Sequence, residues 1–296
     1  MSLAADPLLR AALGQRTDRR LEPAPARRVH GGCISDCFEW RSDRGPLFVK
    51  LAPAAALDGF EGEAEGLREL TRAGAIRVPG VLAVVATERH AALALEWLDL
   101  GGGDGGSAAR LGAGLARQHA VTAPGFGWHR DNTIGSTPQA NCWSGDWVGF
   151  LREQRLGPQL ARAAANGYGG RLQRLGERLC IRLPAFFGGY EPVASLLHGD
   201  LWGGNWATDR AGRPVVFDPA VYFGDREADL AMTRLFGGFG PDFYRAYQEG
   251  WPLHPDAASR VPLYNLYHVL NHLNLFGGGY LRQAEGLLGQ LLADVG

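Results

Sequence analysis

Extended and helical signals are segregated along this chain, and that order limits what it can fold into. Before residue 98, apolar residues alternate or cluster like strands at 28 to 32, 37 to 41, 46 to 51, 81 to 86 and 91 to 97. Residues 1 to 20 read as a short leading helix, and a second helix spans 58 to 71 with Asp58 as its expected N-cap. A glycine-dense stretch, GGGDGGSAAR, then interrupts the pattern at 101 to 110. Beyond it helical periodicity dominates, at about 107 to 120, 143 to 166, 170 to 182, 225 to 235, 241 to 249, 257 to 275 and 280 to 293. One non-helical island, at about 195 to 218, lies among these helices. A chain of 296 residues exceeds what one core usually fills, so two lobes are expected. Residues 1 to 98 would form an antiparallel sheet with a helix, and 99 to 296 a larger, mainly helical lobe, an α+β arrangement.

The balance of charge narrows the partner. With 30 basic and 31 acidic residues the net charge is -1, which gives no general attraction for nucleic acid or an anionic membrane. There is no run of 18 uncharged apolar residues, and the first residues carry neither a basic stretch nor a long apolar one, so a cytoplasmic protein is expected. Four cysteines in no zinc-like spacing argue against a disulfide scaffold or a structural metal. The expected partner is a small molecule, and the expected assembly a monomer or weak homodimer.

The island reads LLHGDLWGGNWATDRAGRPVVFDPA. Asp200 is followed after four residues by Asn205, and an apolar strand from 214 to 217 delivers Asp218. This spacing matches the catalytic loop and the metal-binding aspartate of kinase folds. Phosphoryl transfer requires a carboxylate to orient the attacking hydroxyl and take its proton, the role given to Asp200. It also requires oxygen ligands that hold magnesium against the phosphates of ATP, the role given to Asn205 and Asp218. His198 is read as a hydrogen-bonding pin for the loop.

Lys50 is the only lysine among the 30 basic residues; the rest are arginine. It ends the third predicted strand, where a kinase fold places the lysine that grips the nucleotide phosphates, and a flexible point charge suits that task better than a planar fork. Its partner should come from the next helix. There Phe60, Ala64, Leu67 and Leu70 form one apolar stripe that also takes in Glu63, whereas Glu61, Glu65 and Glu69 point elsewhere. A buried carboxylate requires a cation, and Lys50 supplies it. Between the first two strands, VHGGCISD lacks GxGxxG, yet Gly31 and Gly32 permit close backbone approach, and the amides from Cys33 to Ser35 could face phosphate oxygens. Cys33 and Cys37 flank this loop, either as ordinary thiols or, for Cys33, as a redox-sensitive site.

Taken with FEGEAEGL at 60 to 67, HGDLWGGN at 198 to 205, FDPAVYFGDREADLAM at 217 to 232 and LYHVLNHLNLFGG at 266 to 278, the chain resembles the fructosamine-3-kinase family over nearly its whole length. That family is related to aminoglycoside phosphotransferases and choline kinases. The resemblance implies a protein kinase-like fold and ATP-dependent phosphorylation of ketosamines on the 3-hydroxyl, with release of the amine from an unstable product. It implies that Lys50 binds phosphate with Glu63 as its partner, that Asp200 is the base, and that Asn205 and Asp218 hold magnesium. FDP stands where protein kinases have DFG, which sets aside regulation by a phenylalanine flip. Glu96 and Leu98, at the end of the fifth strand, are expected in the nucleotide site with the glycine loop.

On the acceptor side, Trp202 is read either as a platform for sugar or amine or as a packing anchor of the loop. Asp225, Arg226 and Asp229 are expected to open a helix, with Asp229 bracing the catalytic loop. Asn271 and His272 either line the acceptor cleft or are satisfied polar groups of the core. Two other readings share the core residues: another small-molecule kinase of the aminoglycoside phosphotransferase type, and a nucleotide-binding pseudokinase, which would require a missing catalytic group.

Overall fold

The computed structural model describes residues 6 to 25, 27 to 29, 35 to 101 and 103 to 296. The first helix, α1 (Pro7–Thr17), is shorter than the sequence suggests, because Asp6 caps it by accepting from the amides of Leu8 and Leu9 and Asp18 ends it in the left-handed conformation. Five strands follow in one antiparallel sheet: β1 (Arg27–Arg28), β2 (Asp36–Trp40), β3 (Leu47–Pro53) and, after a helix, β4 (Val81–Ala86) and β5 (His90–Glu96), in the order β1-β2-β3-β5-β4. Alternation along β3 sends Leu47, Val49 and Leu51 into a cluster with Leu9, Leu13 and Trp40 under α1. Lys50 therefore faces the other way, toward α2 (Leu57–Ala73).

Helix α2 buries its apolar stripe as expected, with Phe60, Ala64, Leu67 and Leu70 all in the core. Asp58 is not its N-cap. A short 3₁₀ turn over Ala54–Ala56 leads straight into the helix, so no side-chain cap is used, and Asp58 in the first turn pairs instead with Arg130. A second face of α2 is made of glycine. Cβ atoms at Gly62 and Gly66 would lie 3.2 Å from Asn132 Cβ and 3.1 Å from Val221 Cγ2, so glycine lets α2 press directly on the following part of the chain.

That part is mainly helical. It comprises α3 (Ser107–His119), a hairpin of β6 (Asn132–Ile134) and β7 (Thr137–Gln139), α4 (Trp147–Phe150), α5 (Gly157–Ala165) and α6 (Arg171–Arg182). Four short strands follow, β8 (Ala194–Leu197), β9 (Trp206–Thr208), β10 (Pro214–Val216) and β11 (Tyr222–Asp225). The chain closes with α7 (Glu227–Leu235), α8 (Pro241–Gly250), α9 (Ala257–Phe276) and α10 (Leu281–Asp294).

Two expectations are corrected here. The helix read at 143 to 166 starts at Trp147, capped by Asp146, and passes through a π-helical segment, Leu151–Leu156, before α5. Pro158 has no N–H to offer the carbonyl of Gln154, and that oxygen instead accepts from Arg155 Nη1 at 2.9 Å. The helix read from 225 starts at Glu227, because residues through Asp225 form β11, paired antiparallel with β8.

The expected boundary at 98/99 falls between β5 and α3, yet one apolar cluster runs from Phe60 and Leu67 through Leu197 and Leu201 to Leu291. Among the described residues no helix is long and apolar enough to cross a membrane.

Candidate active site

A cleft of about 1130 Å³ separates β3 and α2 from the short strands, and the predicted residues Ser35, Lys50, Glu63, Asp200, Trp202, Asn205, Asp218, Asn271 and His272 all line it. Lys50 is 6 % exposed, and its Nζ lies 2.7 Å from Glu63 Oε1 and 2.6 Å from Asp218 Oδ1. Burial alone would depress the ammonium, but the carboxylates of Asp218 and Glu63 outweigh it and hold the lysine protonated above its usual range. Glu61, Glu65 and Glu69 take no part: Glu65 pairs with His129 and Arg130, and Glu69 with Arg72.

The loop that carries Asp200 is held by one carboxylate. Asp229 Oδ2 accepts from the His198 amide at 2.7 Å and Asp229 Oδ1 from the Gly199 amide at 2.8 Å. Burial would raise the Asp229 pKa, but the His119 and backbone donors lower it, so the brace is an anion. Gly199 sits at φ +83, and a Cβ there would collide with the Ala220 carbonyl oxygen, which accounts for glycine between His198 and Asp200. His198 is buried and neutral, its pKa lowered by burial; Nε2–H donates to the Phe217 carbonyl at 3.1 Å and Nδ1 accepts from the Asp200 amide at 3.3 Å. These two bonds tie the loop to the strand that delivers Asp218.

Burial, with the Asp218 carboxylate adding to it, pushes the Asp200 carboxyl up to about 7. Asn205 Nδ2 donates to the Asp200 carbonyl at 2.8 Å and to Asp200 Oδ2 at 3.0 Å. Two acceptors on one side fix the orientation of that amide and turn Asn205 Oδ1 away from Asp200. Asp218, at φ +57, is one of two non-glycine residues with positive φ among the described residues; its Oδ1 is taken by Lys50. Asn205 Oδ1 and Asp218 Oδ2 make no hydrogen bond among the described residues, and both are the hard oxygen donors that magnesium takes. The donor set fits that cation.

Other expectations fall differently. Gly31, Gly32 and Cys33 lie outside the described residues, and with them the proposed redox site. Cys37, opposite Lys50 in the sheet, is a buried thiol pushed up to about 11 by burial. Glu96 and Leu98 line a separate pocket of about 620 Å³ rather than the cleft. Glu96 is there bound by Arg77 Nη2 at 2.9 Å and the Gly80 amide at 3.1 Å. Asp225 sits in β11 and accepts from Tyr190 and Tyr264, while Arg226 is bound to the Trp251 and Pro252 carbonyls; both are structural.

On the acceptor side Trp202 stands half-buried against Phe236, and a Cβ at Gly204 would strike its ring, so the second glycine of LWGGN keeps the indole in place. Asn271 both lines the cleft and is satisfied, its amide paired with the Ile134 carbonyl and Gln159. Nδ1–H of His272 donates to the His268 carbonyl at 2.7 Å. Sequence reasoning missed the β6–β7 hairpin, whose Asn132 donates to Val221 at 2.8 Å and whose turn residues line the cleft. The signal was present as a Gly-Ser pair between NTI and TPQ, with Gly135 at φ 61. It also missed His119, buried between Asp229 and Tyr247, and Phe236, Phe276 and Tyr280, brought to the cleft by chain folding alone.

A buried carboxyl, a paired lysine and an oxygen-donor set meeting between a five-stranded sheet and a helical body fit a phosphotransferase of the two-lobed, protein kinase-like α+β fold. A family model described as fructosamine kinase matches residues 7–294. The chain is 42% identical over 283 residues to a Synechocystis protein assigned as a ketoamine kinase, covering 95% of this chain and 94% of that one. It is 41% identical over 268 residues to the chloroplastic protein-ribulosamine 3-kinase of Arabidopsis thaliana, covering 89% and 81%. A crystal structure assigned as a fructosamine-3-kinase from Thermobifida fusca superposes with a TM-score of 0.85 at 35% identity, covering 96% and 98%. The chain belongs to the fructosamine kinase family and is a kinase acting on a hydroxyl group. An aminoglycoside phosphotransferase crystallised with ADP and hygromycin B, at 17% identity and a TM-score of 0.64 over 97% of each chain, shares the fold alone.

Proposed function

We propose that the protein transfers the γ-phosphoryl group of ATP to the 3-hydroxyl of ketosamines, so that glycated amines or proteins are released from their sugar. Asp200 orients the acceptor hydroxyl and takes its proton as the oxygen attacks the γ-phosphorus; the bond to the β,γ-bridging oxygen breaks and ADP leaves with the electron pair. A carboxyl pushed up to about 7 suits a base working near neutrality. Lys50, held by Glu63, gives the nucleotide phosphates a fixed positive partner. Asn205 Oδ1 and Asp218 Oδ2 would hold magnesium, which neutralises charge on the phosphates when bound. The proposed setting is the cytoplasm, and the proposed lobes are 1 to 98 and 99 to 296.

The observation that carries this reading is the complete set Lys50–Glu63–Asp218 and Asp200–Asn205 in one cleft, in a chain of the fructosamine kinase family. No catalytic group is missing, as a pseudokinase would require. ADP formation measured against fructose- and ribulose-derived amines, beside an aminoglycoside and choline, tests it. Turnover confined to the last two would overturn it.

A further inference from the structure

The acceptor end of the cleft carries a continuous aromatic wall that the chemistry at Asp200 does not use. Ring centroids of Trp202 and Phe236 are 6.0 Å apart, of Phe236 and His272 4.9 Å, of His272 and Phe276 5.4 Å, and of His272 and Tyr280 5.2 Å. These rings come from the catalytic loop, the residue after α7, the end of α9 and the turn before α10, and all line the cleft. Two stay open to solvent in the described structure: Phe236 is 37 % exposed and Phe276 53 %. Exposed large aromatics joined edge to edge and lining a cleft mark a surface that something apolar or cationic covers.

Charge decides which. Among the described residues lining the cleft, Asp58, Glu63, Asp200 and Asp218 are acidic and Lys50 is the sole cation. Lys50 is held by Glu63 and Asp218, and Arg130, outside the lining, is held by Asp58 and Glu65. Burial lowers the His272 pKa, so its ring stays neutral, with Nδ1–H given to the His268 carbonyl. A carboxylate on the acceptor finds no free counter-ion among the described residues lining this end, and the acidic groups repel it. An ammonium or an uncharged chain finds ring faces.

We propose that Phe236, His272, Phe276 and Tyr280 are specificity-determining residues that seat the amine-side group of the acceptor, favouring ketosamines whose nitrogen carries an uncharged or cationic chain over those carrying a carboxylate. This rests on the ketosamine kinase reading above and adds a class of substrate to it. Internal lysine side chains and simple alkylamines fall in the favoured class; free amino acids fall outside it.

The test uses three adducts of one ketose that differ only at the far end of a six-carbon amine: hexylamine, cadaverine with one added methylene, and 6-aminohexanoate. We expect kcat/KM for the first two to exceed that for the third by about tenfold or more. Phe276→Ala and Phe236→Ala should lower kcat/KM for the hexylamine adduct and leave KM for ATP unchanged, whereas Phe276→Arg should raise turnover of the 6-aminohexanoate adduct above wild type. Equal kcat/KM for all three adducts in the wild type, or a Phe276→Arg protein with the wild-type order of preference, overturns the inference alone. Turnover of none of them removes both this inference and the kinase reading beneath it.

Discussion

Lys50 Nζ donates to Asp218 Oδ1 at 2.6 Å across 168 residues of sequence, so the only lysine in the chain joins the sheet to the segment that follows β10. The same nitrogen reaches Glu63, and both bonds are made by a single atom. A guanidinium is planar and longer, and cannot put one nitrogen at both positions from the same backbone. Lys50→Arg is expected to fold normally and to lose at least about 10²-fold in kcat/KM, or about 2.7 kcal/mol of transition-state stabilisation. Steady-state kinetics beside thermal unfolding checks this, and wild-type turnover in the variant would separate the lysine from the chemistry.

The Lys50–Glu63 pairing was legible because it depends on two local periodicities, alternation along β3 and the apolar stripe of α2, each of which assigns a face. Asp200, Asn205 and Asp218 were legible for a similar reason: their spacing sits within one short loop and strand. The wall of Phe236, Phe276 and Tyr280 was not, since its members come from separate helices and meet through the packing of α7, α9 and α10. The pocket that Glu96 enters was not legible, because position in a strand fixes which end a residue occupies, while Arg77, remote in sequence, decides where its carboxylate turns. The π-helical segment was hidden because a single proline offset is too small to disturb the apolar pattern around it.

Asp200 makes the pH dependence a signed prediction. Its carboxyl is pushed up to about 7 by burial and the Asp218 carboxylate, and it acts as a base only when ionised. In the free enzyme, kcat/KM should therefore rise with unit slope from pH 5 and level off above an apparent pKa near 7. His198 and His272, both lowered by burial, titrate below this step. A flat profile between pH 5 and 8 would remove Asp200 as the base.

The same shift bears on stability. The folded pKa lies above the ordinary value of 3.8, so between the two the unfolded chain gives up the proton while the folded protein keeps it. The Asp200 contribution is thus fully present below about pH 4 and is lost as pH rises through 7. Asp200→Asn has no such loss. Its Tm should gain on the wild type between pH 5 and pH 8, at roughly 2–4 °C per kcal/mol for a chain of this size, while its turnover falls about 10²–10⁴-fold. A Tm difference independent of pH would show that the carboxylate is not buried in solution.

Glycine on the second face of α2 links packing to activity. A Cβ at Gly62 would lie 3.2 Å from Asn132 Cβ, and Asn132 is itself held by the Val221 carbonyl, so a branched side chain there must push α2 outward. Overpacking of this kind costs about 1–3 kcal/mol. Gly62→Val is expected to lower Tm by a few degrees and to weaken ATP binding and kcat/KM by roughly 10-fold or more, because Glu63, one residue on, is drawn from Lys50. An unchanged KM for ATP would mean that the helix position does not govern the pair.

His119 tests whether the loop depends on its buried brace. Its Nε2–H donates to Asp229 Oδ2 at 3.2 Å and its Nδ1 accepts from the Tyr247 hydroxyl at 2.9 Å, while the same carboxylate holds the amides of His198 and Gly199. Burial lowers the His119 pKa, so the ring is neutral, and its role is to supply one N–H to an anion that is out of water. Removing that donor leaves a buried carboxylate oxygen with one fewer partner, at a cost of about 1–3 kcal/mol. His119→Phe should therefore lower Tm and cut kcat by about tenfold while KM for ATP and for the acceptor stays near wild type, since Asp200 loses its aim and the binding residues are untouched. His119→Gln, which can carry an N–H to the same oxygen, should recover most of kcat. Equal losses in the two variants would assign His119 to packing alone.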